Sequence, residues 1–502
     1  MRALGRSLLK WSAPFKTLCI GLAVCSTASV AIASPPVIDV VYPRARDADS
    51  IVAIADVDSN FVFGSVKPAQ SRLTINGTPV KIYGSGAFLA FLPVPKSDRT
   101  YRLHAECEGE RTDTSVVFLF AEQLLGDTTK ARTMAFPTLI RFLPGYNVTR
   151  TAVDGAYDLF PLEDTRCVAL SQKNNYLKIR LTSSRYTWVE PRFVETMPGR
   201  AEKIPIPIYK IVCQQEAEAT RVSIPDVGKP LFRLEDILSP SEIRLTLYNV
   251  VSHIDLMQMQ SDDPILDRLV WEQLEDGVTT VHMYLKRPSW GYSAQWNQDA
   301  LEIVLRHPPD FEQGLECVTV AIDAGHGGDQ NGAISPTRLL EKNLNLALAE
   351  MLQERLSQDG FNAVLIRNDD ETLGLYDRIE RARKSGANLM VSLHHNAFPD
   401  GVNPFAKPYG TGTYYYHAQS FDLARLVHEN LLQGTKLPDD GLQYDNLALV
   451  RPTDLPAILV EIAHMILPDQ EVLLQDTAFQ KRCVAAISRG IKSFVNARRK
   501  GM

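Results

Sequence analysis

Between residues 60 and 122 apolar and polar positions alternate in short runs, FVFGSV, SRLTINGTPVKIYGSG, AFLAFLPV, TYRLHAEC and TSVVFLF, with turn residues between them. A period of two predicts antiparallel strands with one buried face. Asn76-Gly77 sits between two such stretches and predicts a two-residue hairpin, because both central positions of that turn need positive φ. Short strands recur over about 148–198 (TRTAV, TRCVAL, NYLKIRLTS, RYTWVEP) and again from 204 to 308. From residue 317 the period changes. CVTVAID (317–323) reads as a buried strand, and Leu344, Leu348, Leu352 and Leu356 predict a helix from near Leu340 to Gly360. FNAVLIR (361–367) predicts a strand, Leu375, Ile379 and Ala382 a helix stopping at Gly386, and NLMVSLH (388–394) and TGTYYYH (411–417) further strands. Leu423, Val427 and Leu431 predict a helix ending before Gly434. NLALVR (446–451) and AILVE (457–461) read as strands, and Phe479, Cys483, Ile487, Ile491 and Phe494 as a last helix. Strands alternating with helices predict a three-layer α/β domain around a largely parallel sheet.

With 502 residues, 45% hydrophobic and 22% charged, the chain has room for several domains and is neither disordered nor a polytopic membrane protein. The net charge of −6 provides no basic field, so no nucleic-acid partner is expected. Residues 1–34 read as a signal peptide: Arg2, Arg6, Lys10 and Lys16 precede an apolar run from 17 to 33 that ends Ala31-Ile32-Ala33. An uncleaved anchor and a lipoprotein are the alternatives, and Val24 before Cys25 argues against lipidation. The expectation is export, to the periplasm or the cell wall, with no stable membrane insertion once the leader is removed. Cys107, Cys167, Cys213, Cys317 and Cys483 are widely spaced and contain no C-x-x-C, so they are expected chiefly as free thiols.

Polar residues interrupt the α/β pattern at particular places. Asp323-Ala324-Gly325-His326-Gly327-Gly328 follows the first strand, Glu341 opens the first helix, His394-His395-Asn396 ends the third strand and Glu461 ends the strand after Pro456. In open α/β sheets ligands bind beyond the carboxyl ends of the strands, so these groups should converge on one rim. Two histidines and a carboxylate make a catalytic zinc set with one position left for water. Taken singly, a histidine at a strand end is a satisfied polar residue and a glutamate at a helix start compensates the dipole. Their conjunction on one rim is what points to a metal. H-E-x-x-H is absent.

The stretches VAIDAGHGG (320–328), NGA (331–333), LEKNLNLALA (340–349), LIR (365–367), SLHHNA (392–397), GTYY (412–415) and PAILVE (456–461) occur in the family order of zinc-dependent N-acetylmuramoyl-L-alanine amidases, and residues 317–502 resemble their catalytic domain. The resemblance implies one zinc ion held by His326, Glu341 and His394, with Glu461 as catalytic carboxylate and peptidoglycan as substrate. Strand neighbours face opposite sides, so only one of His394 and His395 should reach the metal; His394 holds the family's ligand position after Ser392-Leu393, which makes His395 a rim residue or substrate contact, an exchange of the two being the alternative. Arg451, read as the end of a neighbouring strand, is a candidate to hold a stem-peptide carboxylate. Ala387-Asn388 and Ile462-Ala463-His464 depart from the family pattern without touching a ligand. The segment from Phe398 to Gly410 is too short for the inhibitory helix that some members insert there. A zinc peptidase acting within the stem peptide and a non-catalytic wall-binding protein are the alternative functions.

Upstream, GSVKP…LTINGTPV…GAF resembles small immunoglobulin-like domains of bacterial surface proteins (35–125). NYLKIRL followed by YTWV is similar to the end of a bacterial SH3-like barrel (145–200), and WGYSAQW…LEIVL resembles the amidase N-terminal targeting (AMIN) domain (204–310). These β modules imply wall targeting and recruitment of cell-envelope partners.

Overall fold

The computed structural model describes residues 34–43, 52–121, 135–199 and 205–500. The expected leader, with Cys19 and Cys25, lies outside them but for its last residue. Among the described residues no helix is long and apolar enough to cross a membrane. The five described cysteines are free, three of them buried.

The amino-terminal part is β-structure throughout. In the first unit a three-stranded sheet (Val37–Tyr42, Ser59–Lys67, Ala87–Pro93) faces a four-stranded one containing Arg72–Ile75, Thr78–Val80, Thr100–Cys107 and Glu110–Val117. Alternate residues of both, among them Val62, Phe88, Ile75 and Tyr101, form one core. Asn76 and Gly77 have φ of 47° and 79° and join paired strands, the hairpin expected from their sequence. A second unit is a five-stranded antiparallel sheet. Its strand Thr138–Phe142 pairs with both Arg166–Lys173 and Val194–Thr196, so this unit begins before the expected boundary at 145. The third packs a five-stranded sheet against a four-stranded one over residues 206–306, around Ile208, Val222, Leu245 and Ile303.

Residues 317–500 form three layers. The central sheet runs in the order Asn362–Leu365, Thr319–Ala324, Leu389–Asn396, Ala457–His464, Thr411–Tyr415, Asp439–Tyr444, the first four parallel and the last two reversed. Helices α1 (Glu341–Gln358), α3 (Ala418–Thr435) and α5 (Thr477–Lys500) cover one face; α2 (Leu375–Lys384) and the turn Ala448–Val450 cover the other. Helix α4 is Pro468–Leu474.

Two expectations fail here for physical reasons. Gly434 does not end α3, which continues to Thr435; a Cβ on Gly434 would lie 2.8 Å from Cβ of Ala486, so this glycine lets α3 approach α5. Residues 446–451 are not a strand. Leu449 and Val450 are buried in a 3₁₀ turn against the sheet, and the edge strand is instead the polar Asp439–Tyr444.

The first β-sandwich docks on loops at the carboxyl rim of the six-stranded sheet. Asp400 accepts from Tyr42 Oη and, at 2.7 Å, from Ala55 N. Gly401 N donates to Asn60 Oδ1 at 3.2 Å, and Arg338 pairs with Asp39 at 2.7 Å. Phe61, Phe63 and Leu89 bury Ile466, with Phe398 packed alongside. These partners lie in the loops that follow the strands carrying His326, His394 and Glu461.

Candidate metal centre

The parallel strands end together, and this brings the singled-out residues to one place. One ligand atom from each of His326, Glu341 and His394 lies within 4.8 Å of the others. Glu341 accepts contacts from His326 Nε2 at 3.1 Å and His394 Nδ1 at 3.0 Å. Ligands around a tetrahedral ion with bonds of about 2.0–2.1 Å stand about 3.3 Å apart, so the set fits zinc. Nε2 of His394 is buried and has no hydrogen-bond partner; in the tautomer protonated at Nδ1 its lone pair is free for such an ion.

The local backbone is shaped to allow this convergence. His326 itself has φ of 62°, in the left-handed region, followed by Gly327 at 133° and Gly328 at 55°. A Cβ on Gly325 would strike the His394 ring, and one on Gly332 (φ 68°) would strike Glu341 and His326. Only glycine fits either place.

Glu341 is 3% exposed. Burial raises its pKa, but the hydrogen bonds from His326 and His394 outweigh burial and hold the carboxylate well below its ordinary value. Glu461 is the register neighbour of His394 on the adjacent parallel strand, so both side chains leave the same face. Its Oε2 is buried without a hydrogen-bond partner. Burial pushes this carboxyl well above the ordinary range, and the charges of Glu341 and Asp440 add to the shift. One ionised carboxylate and one poised to hold a proton thus lie side by side.

Residues that the sequence did not single out support this arrangement. Arg367 donates from Nε to Ala324 O at 2.7 Å and from Nη2 to Gly325 O at 3.0 Å; Asn345 Nδ2 donates to Gly325 O and Glu341 Oε1. Lys342 Nζ holds Gly328 O and Asp370 Oδ2, each at 2.7 Å. Their signal in the sequence is slight: an arginine closing a buried strand, and a lysine and an asparagine on the apolar helix after Glu341.

Two expectations for substrate residues are corrected. His395 is 4% exposed and faces α1, where its Nδ1 meets Asn345 Oδ1 at 2.8 Å and burial lowers its pKa to about 4. It is a core residue, not a rim contact. Arg451 caps the turn Ala448–Val450, ahead of the strand Ala457–His464 that carries Glu461, and so lies toward that strand's amino end. Its Nε bonds Asn446 Oδ1 at 2.6 Å, its Nη1 meets Tyr376 Oη at 3.3 Å, and the rings of Tyr146, Tyr157 and Phe160 lie 5.0–5.3 Å away. It joins domains and does not reach the metal centre.

A His-Glu-His cluster with a separate carboxylate on the carboxyl rim of a parallel sheet is an arrangement that suits a metal-dependent hydrolase. Residues 320–493 match the N-acetylmuramoyl-L-alanine amidase family model. The uncharacterized protein YqiI of Bacillus subtilis is 33% identical over 184 residues, 36% of this chain and 86% of that protein. AmiC of Neisseria meningitidis, an N-acetylmuramoyl-L-alanine amidase, is 28% identical over 223 residues, 35% of this chain and 52% of AmiC. The catalytic domain of the amidase CwlV from Bacillus (Paenibacillus) polymyxa is 34% identical, covering 36% of this chain and 98% of that domain, with a TM-score of 0.33. The chain belongs to the N-acetylmuramoyl-L-alanine amidase family, and its carboxyl-terminal domain is the amidase. It spans about half the length of AmiC, and the family model covers residues 320–493 of it.

Proposed function

We propose that the protein is a zinc-dependent peptidoglycan hydrolase that cleaves the amide between N-acetylmuramic acid and L-alanine, with His326, Glu341 and His394 holding the metal and Glu461 moving the proton. The observation that carries this is the placement of Glu461 beside His394, on the same face of adjacent strands, next to a donor set that fits zinc. When bound, zinc supplies Lewis acidity for the amide carbonyl and for an attacking water. Glu461, at Oε2, takes the water proton and delivers it to the leaving amine of L-alanine, a task its raised pKa suits. Glu341 stays ionised and orients both histidines. Gly325 and Gly332 keep the space around them clear.

The β units read as placement modules: immunoglobulin-like, SH3-like and AMIN-like in that order. A weak wall anchor beside a catalytic domain raises the effective substrate concentration. A relative that carries the name "Probable cell wall amidase LytH", from Staphylococcus epidermidis, and the leader pattern of residues 1–34 support export to the periplasm or wall.

Digestion of purified peptidoglycan with the zinc-loaded full chain, followed by mass spectrometry of the new ends, tests this function. Free lactyl groups with released L-alanine amines are the expected products. Cleavage between amino acids would make the protein a stem-peptide peptidase, and no product with or without zinc would make it a binding protein. Glu461→Ala should abolish cleavage while the metal stays bound; full activity of that variant would overturn the mechanism.

A further inference from the structure

Away from the metal centre, the catalytic domain meets the second and third β units around an open cleft of about 870 Å³. That is the size of a small-ligand site, and such sites favour domain junctions. Tyr376, Tyr416 and Tyr444 come from the catalytic domain, Tyr146 and Asp158 from the second β unit, and Arg233 from the third.

Its wall is unusual for this surface. Tyr146, Tyr376 and Tyr444 are 36%, 42% and 65% exposed. Tyr146 stacks on Tyr376 at 4.4 Å between centroids, and Tyr416 on Tyr444 at 5.3 Å. Exposed aromatic clusters of this kind mark binding surfaces. Charged residues also line the cleft, and five carboxylates among them outnumber three arginines; one pair among these, Arg233 with Asp158, is closed within the wall. This excess of acid disfavours an anion. Asp158, with its side chain 2% exposed, has a buried Oδ2 without a hydrogen-bond partner, and Arg233 Nε likewise lacks one. A buried acceptor and donor without partners call for a ligand rich in hydroxyl and amide groups.

Position narrows the ligand further. Gly412 is the register partner of Glu461, and Tyr415, which also lines the cleft, lies three residues further along that strand. At about 3.3 Å per residue the cleft begins about 10 Å along the strand from the level of the catalytic carboxylate. We propose that this cleft binds the N-acetylated amino-sugar backbone of a peptidoglycan strand, its tyrosine faces stacking on the C–H faces of the pyranose rings. The choice of glycan rests on the amidase function proposed above. The uncharged, hydroxyl-rich sugar backbone meets no repulsion from this acidic wall, whereas the carboxylates of the ionised stem peptide do.

The test is calorimetric titration of the full chain carrying Glu461→Gln with peptide-free glycan strands, and separately with free stem peptide. The strands should bind, the stem peptide should not displace them, and Tyr376→Ala and Tyr444→Ala should each weaken binding by about tenfold or more. The thermal unfolding midpoint of Tyr444→Ala, whose ring packs on Tyr415 and Tyr416 within its own domain, should stay at the parent value, so that its loss of binding is not a loss of fold. Failure of the strands to bind, equal binding by parent and variants, or displacement by stem peptide would overturn the proposal. The titration requires no turnover, and cleavage products are identified separately, so either claim can fail without the other.

Discussion

Arg378 donates from Nη1 to Asp323 Oδ1 at 2.7 Å, with the two side chains 1% and 0% exposed. The same arginine reaches His326 O from Nη2 at 2.6 Å and Ala324 O from Nη1 at 2.8 Å, while Asp323 Oδ2 accepts from Ser392 Oγ at 2.6 Å. A buried ion pair thus fastens the loop bearing one proposed zinc ligand to α2. Removing one member of such a pair strands a charge and costs about 3–5 kcal/mol. Arg378→Met should therefore lower the unfolding free energy of the catalytic domain by about that much and weaken zinc binding, because His326 loses its backbone anchor. Adding Asp323→Leu should recover part of the stability. Denaturant unfolding and metal titration check both; a stability within about 1 kcal/mol of the parent would show that the pair does not hold the loop.

The glycines at the metal centre lead to a different loss. Gly332→Ala places a methyl against Glu341 and His326 at a φ of 68° that alanine tolerates poorly. Zinc affinity should fall by about tenfold or more, since the ligand carboxylate must shift to make room. Gly386, also at positive φ (71°), has nothing within 4 Å of a Cβ. Gly386→Ala should therefore lower the melting temperature and leave zinc affinity unchanged. Equal affinities for the parent and Gly332→Ala would show that the cradle has slack.

Much of this site was legible in the sequence, for a specific reason. In an open parallel sheet polar residues at strand ends must meet on one rim, so His326, Glu341, His394 and Glu461 could be assembled without coordinates. Arg378 could not. Its partner lies 55 residues away, and a pairing between one residue on a helix and one on a strand leaves no periodic trace. Leucines at spacing four located α1, because its buried side faces the core, whereas the edge strand Asp439–Tyr444 has no buried face to impose alternation. Leu449 and Val450 misled for the converse reason: they are apolar because they cover the sheet. Arg451 was read as a substrate residue because its charge was visible and the three rings around it were not.

Asp236 links the third β unit to α3. It accepts from Tyr292 Oη at 3.0 Å and from Gln419 N, and His417 Nδ1 lies 3.7 Å away. Burial alone would raise its pKa, but these partners outweigh burial and depress it. A depressed carboxylate contributes stability above its unfolded pKa of about 3.9 and loses it as pH falls through the lower folded value. The docking of this unit should therefore be constant from pH 7 to about 5 and weaken below about pH 4. In Asp236→Asn it should be weaker at neutral pH and flatter across the acid range. Limited proteolysis of the domain junction over this pH range, with an acid-stable protease, checks the slope; a parent and variant with the same slope would show that Asp236 is not the group responsible.

Among the polar contacts between the first β-sandwich and the rim, those of Asp39 and of Asp400 differ in setting and so in expected importance. Asp39 and Arg338 are well exposed at the side chain, 35% and 42%, and such pairs contribute at most about 1 kcal/mol. Asp400 instead accepts from a backbone amide, Ala55 N, and from the Tyr42 hydroxyl at a part-buried junction beside Phe61 and Phe63. Removing it leaves two donors unpaired, at about 1–3 kcal/mol each when buried. Asp400→Ala should therefore speed hydrogen exchange at the Ala55 amide and open the interface, while Arg338→Ala should leave both near the parent. If the two variants open the interface equally, the docking depends on the exposed ion pair and the apolar contacts, and Asp400 contributes no more than its charge.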